Sequence, residues 1–261
     1  MAEIKVITIG RHYCAGGSTI GKLVAEKLGI PCYDREIIDM AAQKSGIAMS
    51  EIQKYEEAAL SILKTPINLF SKEKEYPITE KIFAAETEVI MELVDVFNKR
   101  REKLENIRER GKLEKNEYSI SVHVWLLEDD KLWIQQRSDE KKIFPGLWEQ
   151  SGGGVISGET SLEAVKREAK EELGLDIQDE EITYIGSYTR VKDIVDIWLV
   201  QRIFSKDKII LQDEEVANIK NVTFEEFDKM IENKEVVPTI NPSYNLLKNY
   251  YDVYMKGKML K

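Results

Sequence analysis

The segment from Gly153 to Leu175 carries a dense set of side chains that could do chemistry. A helix that begins near Thr160–Ser161 would place Glu168, Glu171 and Glu172 at i, i+3 and i+4, with their carboxylates along one face. On an ordinary solvated helix, like charges at this spacing repel by roughly a few tenths of a kcal/mol per pair. Three clustered carboxylates also form a hard-oxygen site of the kind that suits Mg²⁺, together with water and substrate phosphate. The pattern therefore predicts either a charged surface helix or a magnesium site.

The spacing around this helix is similar to the Nudix box, G-x5-E-x7-R-E-U-x-E-E-x-G-U, in which U is a bulky aliphatic residue. The matching positions are Gly153, Glu159, Arg167, Glu168, Ala169, Glu171, Glu172, Gly174 and Leu175, and Ala169 is a small residue for its position. Nine positions at fixed spacing are far more specific than a lone glycine motif, so they favour the Nudix interpretation over a plain solvated helix. The resemblance extends over about residues 95–255 and implies a Nudix α/β/α sandwich with a mixed sheet.

The resemblance to the Nudix family implies a Mg²⁺-dependent hydrolase. It would cleave a diphosphate linkage in a nucleoside diphosphate linked to another moiety X, or in a similar small-molecule organic diphosphate. The family pattern places Mg²⁺, with Mn²⁺ as a substitute, on Glu168, Glu171 and Glu172, and one of them, most often the first, acts instead as general base. Arg167 would orient these carboxylates, and Glu159 would support the junction of loop and helix. Metal ions neutralise diphosphate charge and place the attacking water, so the chemistry agrees, but the sequence does not divide the roles among the glutamates.

Further candidate site residues lie outside the box. Glu215, or its neighbour Glu214, would supply the extra metal-binding carboxylate that often joins the site in this family, with a solvated loop acid as the alternative. Arg137 and Lys141 would contact the diphosphate, with surface charge as the alternative. These two residues and Pro145-Gly146-Leu147-Trp148 resemble the segment before the box in the Nudix branch that includes isopentenyl-diphosphate isomerase. We also assign Gly153, at the start of the box, to the substrate-binding side.

An isomerase of that branch is the first alternative function. The resemblance would then require a reactive cysteine shortly after Trp148, and none is present because both cysteines lie in the N-terminal stretch. His123 matches one histidine of a strand that helps to bind metal in the isomerases, but its companion position holds Ser119. A single histidine on a sheet is more often a structural, hydrogen-bonded residue. We therefore disfavour isomerisation.

The elements that must position these residues form a strand-rich pattern after residue 117. Alternating or apolar runs predict strands at Ser119–Val124, Lys131–Arg137, Ile182–Val191 and Ile194–Phe204, and helices follow near Phe224–Glu232 and Pro242–Asp252. Strands with a few interspersed helices indicate an α+β sandwich. We assign residues 117–261 to the Nudix domain and residues 95–116 to a charged helical connector. The connector interpretation rests on eight basic and four acidic residues between Lys99 and Lys115.

The first 94 residues predict a separate α/β segment. The strand at Ile4–Ile9, the glycine turn that follows and the helix at Ser18–Leu28 resemble the start of the cytidylate kinase-like family. The segment is shorter than such a kinase, and Gly17 stands where a standard phosphate loop has lysine. We therefore expect a truncated P-loop-kinase-like domain over 1–94 that serves packing, dimerisation or regulation, with a residual anion site at Gly16–Ser18 as the alternative. A nucleotide-sensing regulatory protein with a Nudix reader domain is the second alternative function.

Composition narrows the classes of partner. The chain has 261 residues, of which 38 are Lys or Arg and 47 are Asp or Glu, for a net charge of −9. Nucleic-acid-binding domains are usually basic, so we expect no nucleic-acid partner. No apolar run approaches the length of a membrane span, and the N-terminus lacks signal-peptide features, so we expect no membrane association and a cytoplasmic location. A truncated half-sheet leaves an edge to be covered, which favours docking or a homodimer.

Overall fold

The structure is a computed structural model that describes residues 17–28, 32, 35–48, 89–205 and 208–255. Two N-terminal helices are described, α1 (Gly17–Leu28) and α2 (Arg35–Ser45). Ile37 and Ala41 of α2 pack with Val89 in a small apolar cluster. The strand and glycine turn predicted before Gly17 lie outside the described residues, and so does much of the rest of the predicted kinase-like segment. The role of this segment stays a prediction.

From residue 93 onward the chain contains nine strands and three further α-helices among the described residues. The strands are β1 (Leu93–Phe97), β2 (Lys103–Glu109), β3 (Ser119–Glu128), β4 (Lys131–Arg137), β5 (Trp148–Glu149), β6 (Ser151–Gly154), β7 (Ile182–Thr189), β8 (Asp193–Gln201) and β9 (Val216–Thr223). The helices are α3 (Ser161–Leu173), α4 (Phe224–Glu232) and α5 (Asn241–Tyr250), and a π-helical turn, Tyr251–Met255, follows α5. Short 3₁₀ helices occur at Asp179–Glu181 and Pro238–Ile240.

A mixed seven-stranded sheet forms the centre of this part of the chain. Its order is β5-β4-β3-β8-β7, and β6 also pairs with β3 while β9 also pairs with β4. The central strands β3 and β8 run parallel, whereas the other pairs in the sheet are antiparallel. The parallel pair places β8, the second strand after α3, directly beside β3, the first strand of the sheet along the chain.

Helices cover both faces of the sheet. Successive side chains of a strand point to opposite faces, so Val124 of β3 packs toward α3 while its neighbour Trp125 packs toward α4 and α5. On the first face, Ala164, Val165, Ala169 and Leu173 of α3 join the strand residues. On the second face, Phe227, Met230, Tyr244 and Leu247 of α4 and α5 do so. The predicted α/β/α sandwich with a mixed sheet is confirmed.

The predicted helical connector over 95–116 is wrong. Residues 93–109 form an antiparallel hairpin, β1–β2, in which Leu93 pairs with Glu109 and Phe97 with Lys103. The apolar run of β1 is buried, and it needs a partner strand for its backbone groups. The charged residues of β2 provide that partner while their side chains remain largely in solvent. Pairing with the buried strand β1 therefore outweighs the charge pattern that suggested a helix. The domain boundary itself stays a prediction.

Strand β9 has no counterpart in the sequence-based prediction, which found only a loop around Glu214 and Glu215. Its buried apolar residues, Val216, Ile219 and Val222, are spaced by three residues, which is not the alternation of a regular strand. The pairing of β9 with β4 contains a register shift at Gln136/Arg137. By contrast, the two predicted C-terminal helices and the strands at β3, β4, β7 and β8 form close to their predicted positions.

No helix within the described ranges is both long and apolar enough to cross a membrane.

Candidate functional site

The helix that carries the acidic cluster, α3, is fixed at both ends by local sequence. Thr160 caps the first turn: its Oγ1 accepts a hydrogen bond from Glu163 N at 3.2 Å, and Glu163 Oε2 accepts one from Thr160 N at 2.8 Å. This reciprocal arrangement is a capping box. At the other end, Gly174 adopts a left-handed φ of 67° and donates to the carbonyls of Ala169 and Lys170. These caps fix where the helix begins and ends, so the three predicted glutamates are all helical and keep the predicted i, i+3 and i+4 spacing.

Arg167 connects the predicted site residues of α3 and the preceding loop. Its Nε donates to Glu159 Oε1 at 2.8 Å, and its Nη1 donates to Glu168 Oε1 at 2.8 Å and to Glu171 Oε2 at 3.1 Å. Its Nη2 donates to Gly154 O at 2.9 Å. Burial opposes the charge of Arg167, but the hydrogen bonds and charges of Glu159 and Glu168 outweigh it and raise the pKa of Arg167. The guanidinium of Arg167 therefore stays positively charged and fixes the positions of these carboxylates.

Glu172 points inward from α3 toward the glycine-rich strand β6. It is 6% exposed and accepts hydrogen bonds from Ser151 Oγ and, at 3.1 Å, from Gly152 N. Burial, with a smaller contribution from the charge of Glu168, raises the pKa of Glu172 to about 8. A buried carboxylate with a second carboxylate beside it favours a proton or a metal cation.

Gly153 provides the space that Glu168 occupies. A Cβ atom at position 153 would lie 2.1 Å from Glu168 Oε1 and 2.4 Å from its Cδ, far inside van der Waals contact. Burial raises the pKa of Glu168, although the charge of Arg167 and its hydrogen bond oppose this shift. The glycine predicted for the substrate-binding side is thus the residue that lets a site carboxylate approach the backbone of β6.

A cleft of about 540 Å³ lies beside these carboxylates. Arg137, Lys141, Gly153, Glu172 and Glu215, all predicted site residues, line it. Two of them form ion pairs there: Arg137 Nη1 with Glu149 Oε1 at 2.6 Å, and Lys141 with Glu215. Burial, followed by the charge of Arg137, lowers the pKa of Lys141.

The structure brings the predicted site residues together in two adjoining groups. One group is the hydrogen-bonded network around Arg167, which contains Glu159 of the preceding loop and Glu168 and Glu171 of α3. Glu172 and Gly153 link this network to the cleft. Glu214, the alternative to Glu215, is exposed. Glu171 lies at the solvent side of the network, with 42% of its side chain exposed.

The donor chemistry of the site fits a divalent cation, although the carboxylates do not form a ready-made cage. Within the described ranges, no three histidine, cysteine, aspartate or glutamate side chains converge as a metal site. The buried oxygens Gln135 Oε1 and Gln150 Oε1 have no hydrogen-bond partner. The side chain of Gln135 contacts Glu172, and Gln150 lines the cleft. Buried carboxylates and unpaired amide oxygens are the hard ligands that Mg²⁺ takes.

Sequence reasoning did not identify Glu149 and Ser151 as parts of the site. The carboxylate of Glu149 pairs with Arg137 in the cleft, and burial raises its pKa. Ser151 donates to Glu172. Their position immediately before the glycine cluster that opens the box is the only sequence signal that could have pointed to them.

His123 also lines the cleft, and one of its ring nitrogens lacks the hydrogen bond that we expected of a structural residue. It is 8% exposed, and its Nδ1 has no hydrogen-bond partner. Burial, assisted by the positive charge of Arg190, lowers the pKa of His123 to about 3. The imidazole is therefore neutral at physiological pH.

Comparisons with known proteins agree with this geometry. The model of the NUDIX domain matches residues 117–240, and the model of the cytidylate kinase-like family matches residues 6–99. The chain is 34% identical over 151 residues to the Nudix hydrolase lin0387 of Listeria innocua, a match that covers 57% of this chain and 89% of the relative. The chain therefore belongs to the Nudix hydrolase family, whose members are enzymes that act on diphosphate bonds.

Two further similarities are more limited. The nucleoside triphosphatase NudI of Escherichia coli is 44% identical over 59 residues, which cover 22% of this chain and 42% of the relative. The crystal structure of DR0079 from Deinococcus radiodurans superposes with a TM-score of 0.51 at 25% identity and covers 61% of this chain and 99% of that chain. The predicted likenesses to the Nudix and cytidylate kinase-like families are confirmed, whereas the isopentenyl-diphosphate-isomerase-like branch stays a prediction.

Proposed function

We propose that the chain is a Mg²⁺-dependent hydrolase that cleaves the diphosphate linkage of a nucleoside diphosphate joined to a further moiety X. The observation that carries this proposal is the position of Glu172, a buried carboxylate that joins the Arg167 network on α3 to the cleft. Acidic groups for a cation and basic groups for a phosphate then line one cavity. The NudI similarity adds nucleoside triphosphates as a substrate class to be tested.

Glu168, Glu171 and Glu172 would hold Mg²⁺, and Glu215 would add a ligand from across the cleft. When bound, the metal supplies charge neutralisation of the diphosphate and orientation of the attacking water. Arg167 holds Glu168 and Glu171 in place through its two hydrogen bonds from Nη1. Glu159 in turn holds Arg167, because both of its oxygens accept from that guanidinium.

Arg137 and Lys141 would bind the phosphate oxygens. A guanidinium can bind them in a bidentate manner, whereas an ammonium acts as a point charge. In the structure both cations already face carboxylates, Glu149 and Glu215 respectively, so substrate phosphate would compete for them. Substrate binding would therefore depend on Mg²⁺, because Glu215 would bind the metal ion once phosphate has displaced it from Lys141.

A proton acceptor for the attacking water must come from the same glutamates. Glu168 and Glu172 both have raised pKa values, chiefly through burial, and a carboxylate bound to a metal is not also a free base. The two roles therefore divide among the glutamates. Single Glu→Gln variants separate them, because a lost metal ligand weakens Mg²⁺ binding whereas a lost base lowers kcat alone.

The test is release of phosphate or diphosphate from a panel of nucleoside diphosphate derivatives and nucleoside triphosphates, with and without Mg²⁺. We expect Mg²⁺-dependent release by the wild type and a loss of at least about 100-fold in Glu171→Gln and Glu172→Gln. Lys166→Gln is the matched control, since Lys166 lies on the same helix but pairs with Asp179. Undiminished rates in both glutamate variants would refute the proposal. The homodimer and the cytoplasmic location stay predictions.

A further inference from the structure

The basic side chains that line the cleft differ in whether they form an ion pair with a carboxylate of the protein. They are Arg110, Arg137, Lys141, Arg190 and Lys192. Arg137, Lys141 and Arg190 each pair with a carboxylate, and Lys192 donates to backbone carbonyls. Arg110 forms no salt bridge in the part of the chain that the structure describes, although its charge acts on the nearby carboxylate of Glu168. Its hydrogen bond there runs from Nη2 to Gly154 O at 3.3 Å. Most of its five N–H donors therefore remain available.

The guanidinium of Arg110 lies directly over Gly154. A Cβ atom at position 154 would meet Arg110 Cζ at 2.5 Å, just as one at position 153 would meet the carboxylate of Glu168. Because Gly153 and Gly154 are adjacent, the guanidinium of Arg110 and the carboxylate of Glu168 lie over neighbouring residues of β6. A phosphate group held near Glu168 would thus be within reach of Arg110.

The β1–β2 hairpin that carries Arg110 is firmly attached to the Nudix part of the chain. Asp95 of β1 accepts hydrogen bonds from Ser157 Oγ at 2.8 Å and from Gly158 N at 3.2 Å. In the turn, Arg101 forms a bidentate ion pair with Asp196, a fully buried residue of β8. Arg110 follows β2 immediately and bonds back to the residue before β1, through its N and the carbonyl of Glu92 at 2.7 Å. The position of its Cα is therefore set by the fold.

We propose that Arg110 binds a phosphate oxygen of the diphosphate substrate, in addition to Arg137 and Lys141. This inference rests on the proposed function and adds a ligand-binding residue from outside the segment that matches the NUDIX domain. A planar guanidinium with unused donors matches a tetrahedral phosphate in charge and geometry. The inference also gives the hairpin a function, namely to complete the wall of the cleft.

The test compares variants of the full chain. Arg110→Gln should raise KM for the hydrolysed nucleotide by about 10- to 100-fold, the usual effect of losing a hydrogen bond to a charged group, with kcat changed less than about threefold. Arg110→Lys should recover part of the loss. Gly154→Ala should displace the guanidinium and raise KM similarly, with no further increase in the Arg110→Gln background. Lys112→Gln removes a charge from the same turn, where Lys112 pairs with Glu109 at the surface, and should leave KM unchanged.

Binding of inorganic diphosphate in the presence of Mg²⁺, measured by calorimetry, separates this inference from the hydrolase proposal. Weaker binding in Arg110→Gln than in Lys112→Gln supports the phosphate contact even if no nucleotide is hydrolysed. Equal affinities in the wild type and Arg110→Gln, or no binding by the wild type, would overturn it. Hydrolysis lost in the Glu172→Gln variant but unaffected by Arg110→Gln would leave the hydrolase standing and remove Arg110 from its site.

Discussion

Replacing Gly153 by alanine tests whether the backbone of β6 sets the position of the site carboxylate. The new Cβ would lie 2.1 Å from Glu168 Oε1, so the carboxylate would have to move by at least about 1.3 Å to reach an ordinary contact. Gly153 does not have a left-handed φ, so alanine causes no backbone strain there. A displacement of about 1 Å in a catalytic constellation can cost about 100-fold in rate, or about 2.7 kcal/mol of transition-state stabilisation. We therefore expect kcat/KM to fall by about 100-fold while the fold remains intact.

The assay is steady-state hydrolysis at saturating Mg²⁺, with thermal unfolding measured on the same samples. Glu168→Asp provides the matched test, because it retracts the carboxylate by one methylene and leaves room for the new Cβ. The double variant Gly153→Ala/Glu168→Asp should be no slower than Glu168→Asp alone, since the steric conflict is then absent. A Gly153→Ala enzyme within about threefold of wild type would refute the reasoning. Simple addition of the two losses in the double variant would do the same.

Two further predictions concern stability. Burial lowers the pKa of His123 to about 3, so a proton binds this imidazole more tightly in the unfolded than in the folded chain. The stability contributed by neutral His123 is therefore present above pH 6.5 and is lost as the pH falls from 6.5 toward 3. Between pH 7.5 and pH 5 the wild type should therefore lose about 2 kcal/mol more than His123→Gln in urea unfolding, and equal pH slopes would contradict this. Arg101→Gln should destabilise the protein by about 3 kcal/mol, because it leaves Asp196 charged and fully buried. Lys99→Gln in the same turn should be neutral, and a matching loss in that control would argue against the ion pair as the cause.

The helix that carries the Nudix box could be predicted almost to the residue. Thr160, Glu163 and Gly174 are local stop and start signals that act through neighbouring backbone groups, and the glutamate spacing needs only helical geometry. The same holds for the β3–β4 hairpin around Asp129, where apolar alternation on both sides of a short turn specifies the pairing. These two elements could be predicted because the residues that determine them are close together in the sequence.

The strands that were missed form because another strand needs a partner, and their own residue patterns do not indicate this. Strand β2 is highly charged and forms because β1 requires a partner, and β9 forms because β4 offers an open side. Arg110 lies in the cleft because the end of β2 approaches Gly154, which is 44 residues later in the chain. Glu149 is close to the glycine-rich strand in the sequence, but nothing local shows that it pairs with Arg137. These parts of the cleft could therefore not be predicted from the sequence.

The β1–β2 hairpin also bears on how the two family segments can be separated. The cytidylate kinase-like match ends at residue 99, so it includes all of β1, whereas β2 follows that match and precedes the NUDIX match at 117. A cut at the end of the first match would leave each fragment with one strand of a pair. Phe97, on the N-terminal fragment, would also lose its backbone bonds to Tyr118 at 2.8 and 2.9 Å. Neither segment is therefore an interchangeable module at that boundary, and a recombinant exchange between relatives would have to keep residues 93–110 with the Nudix part.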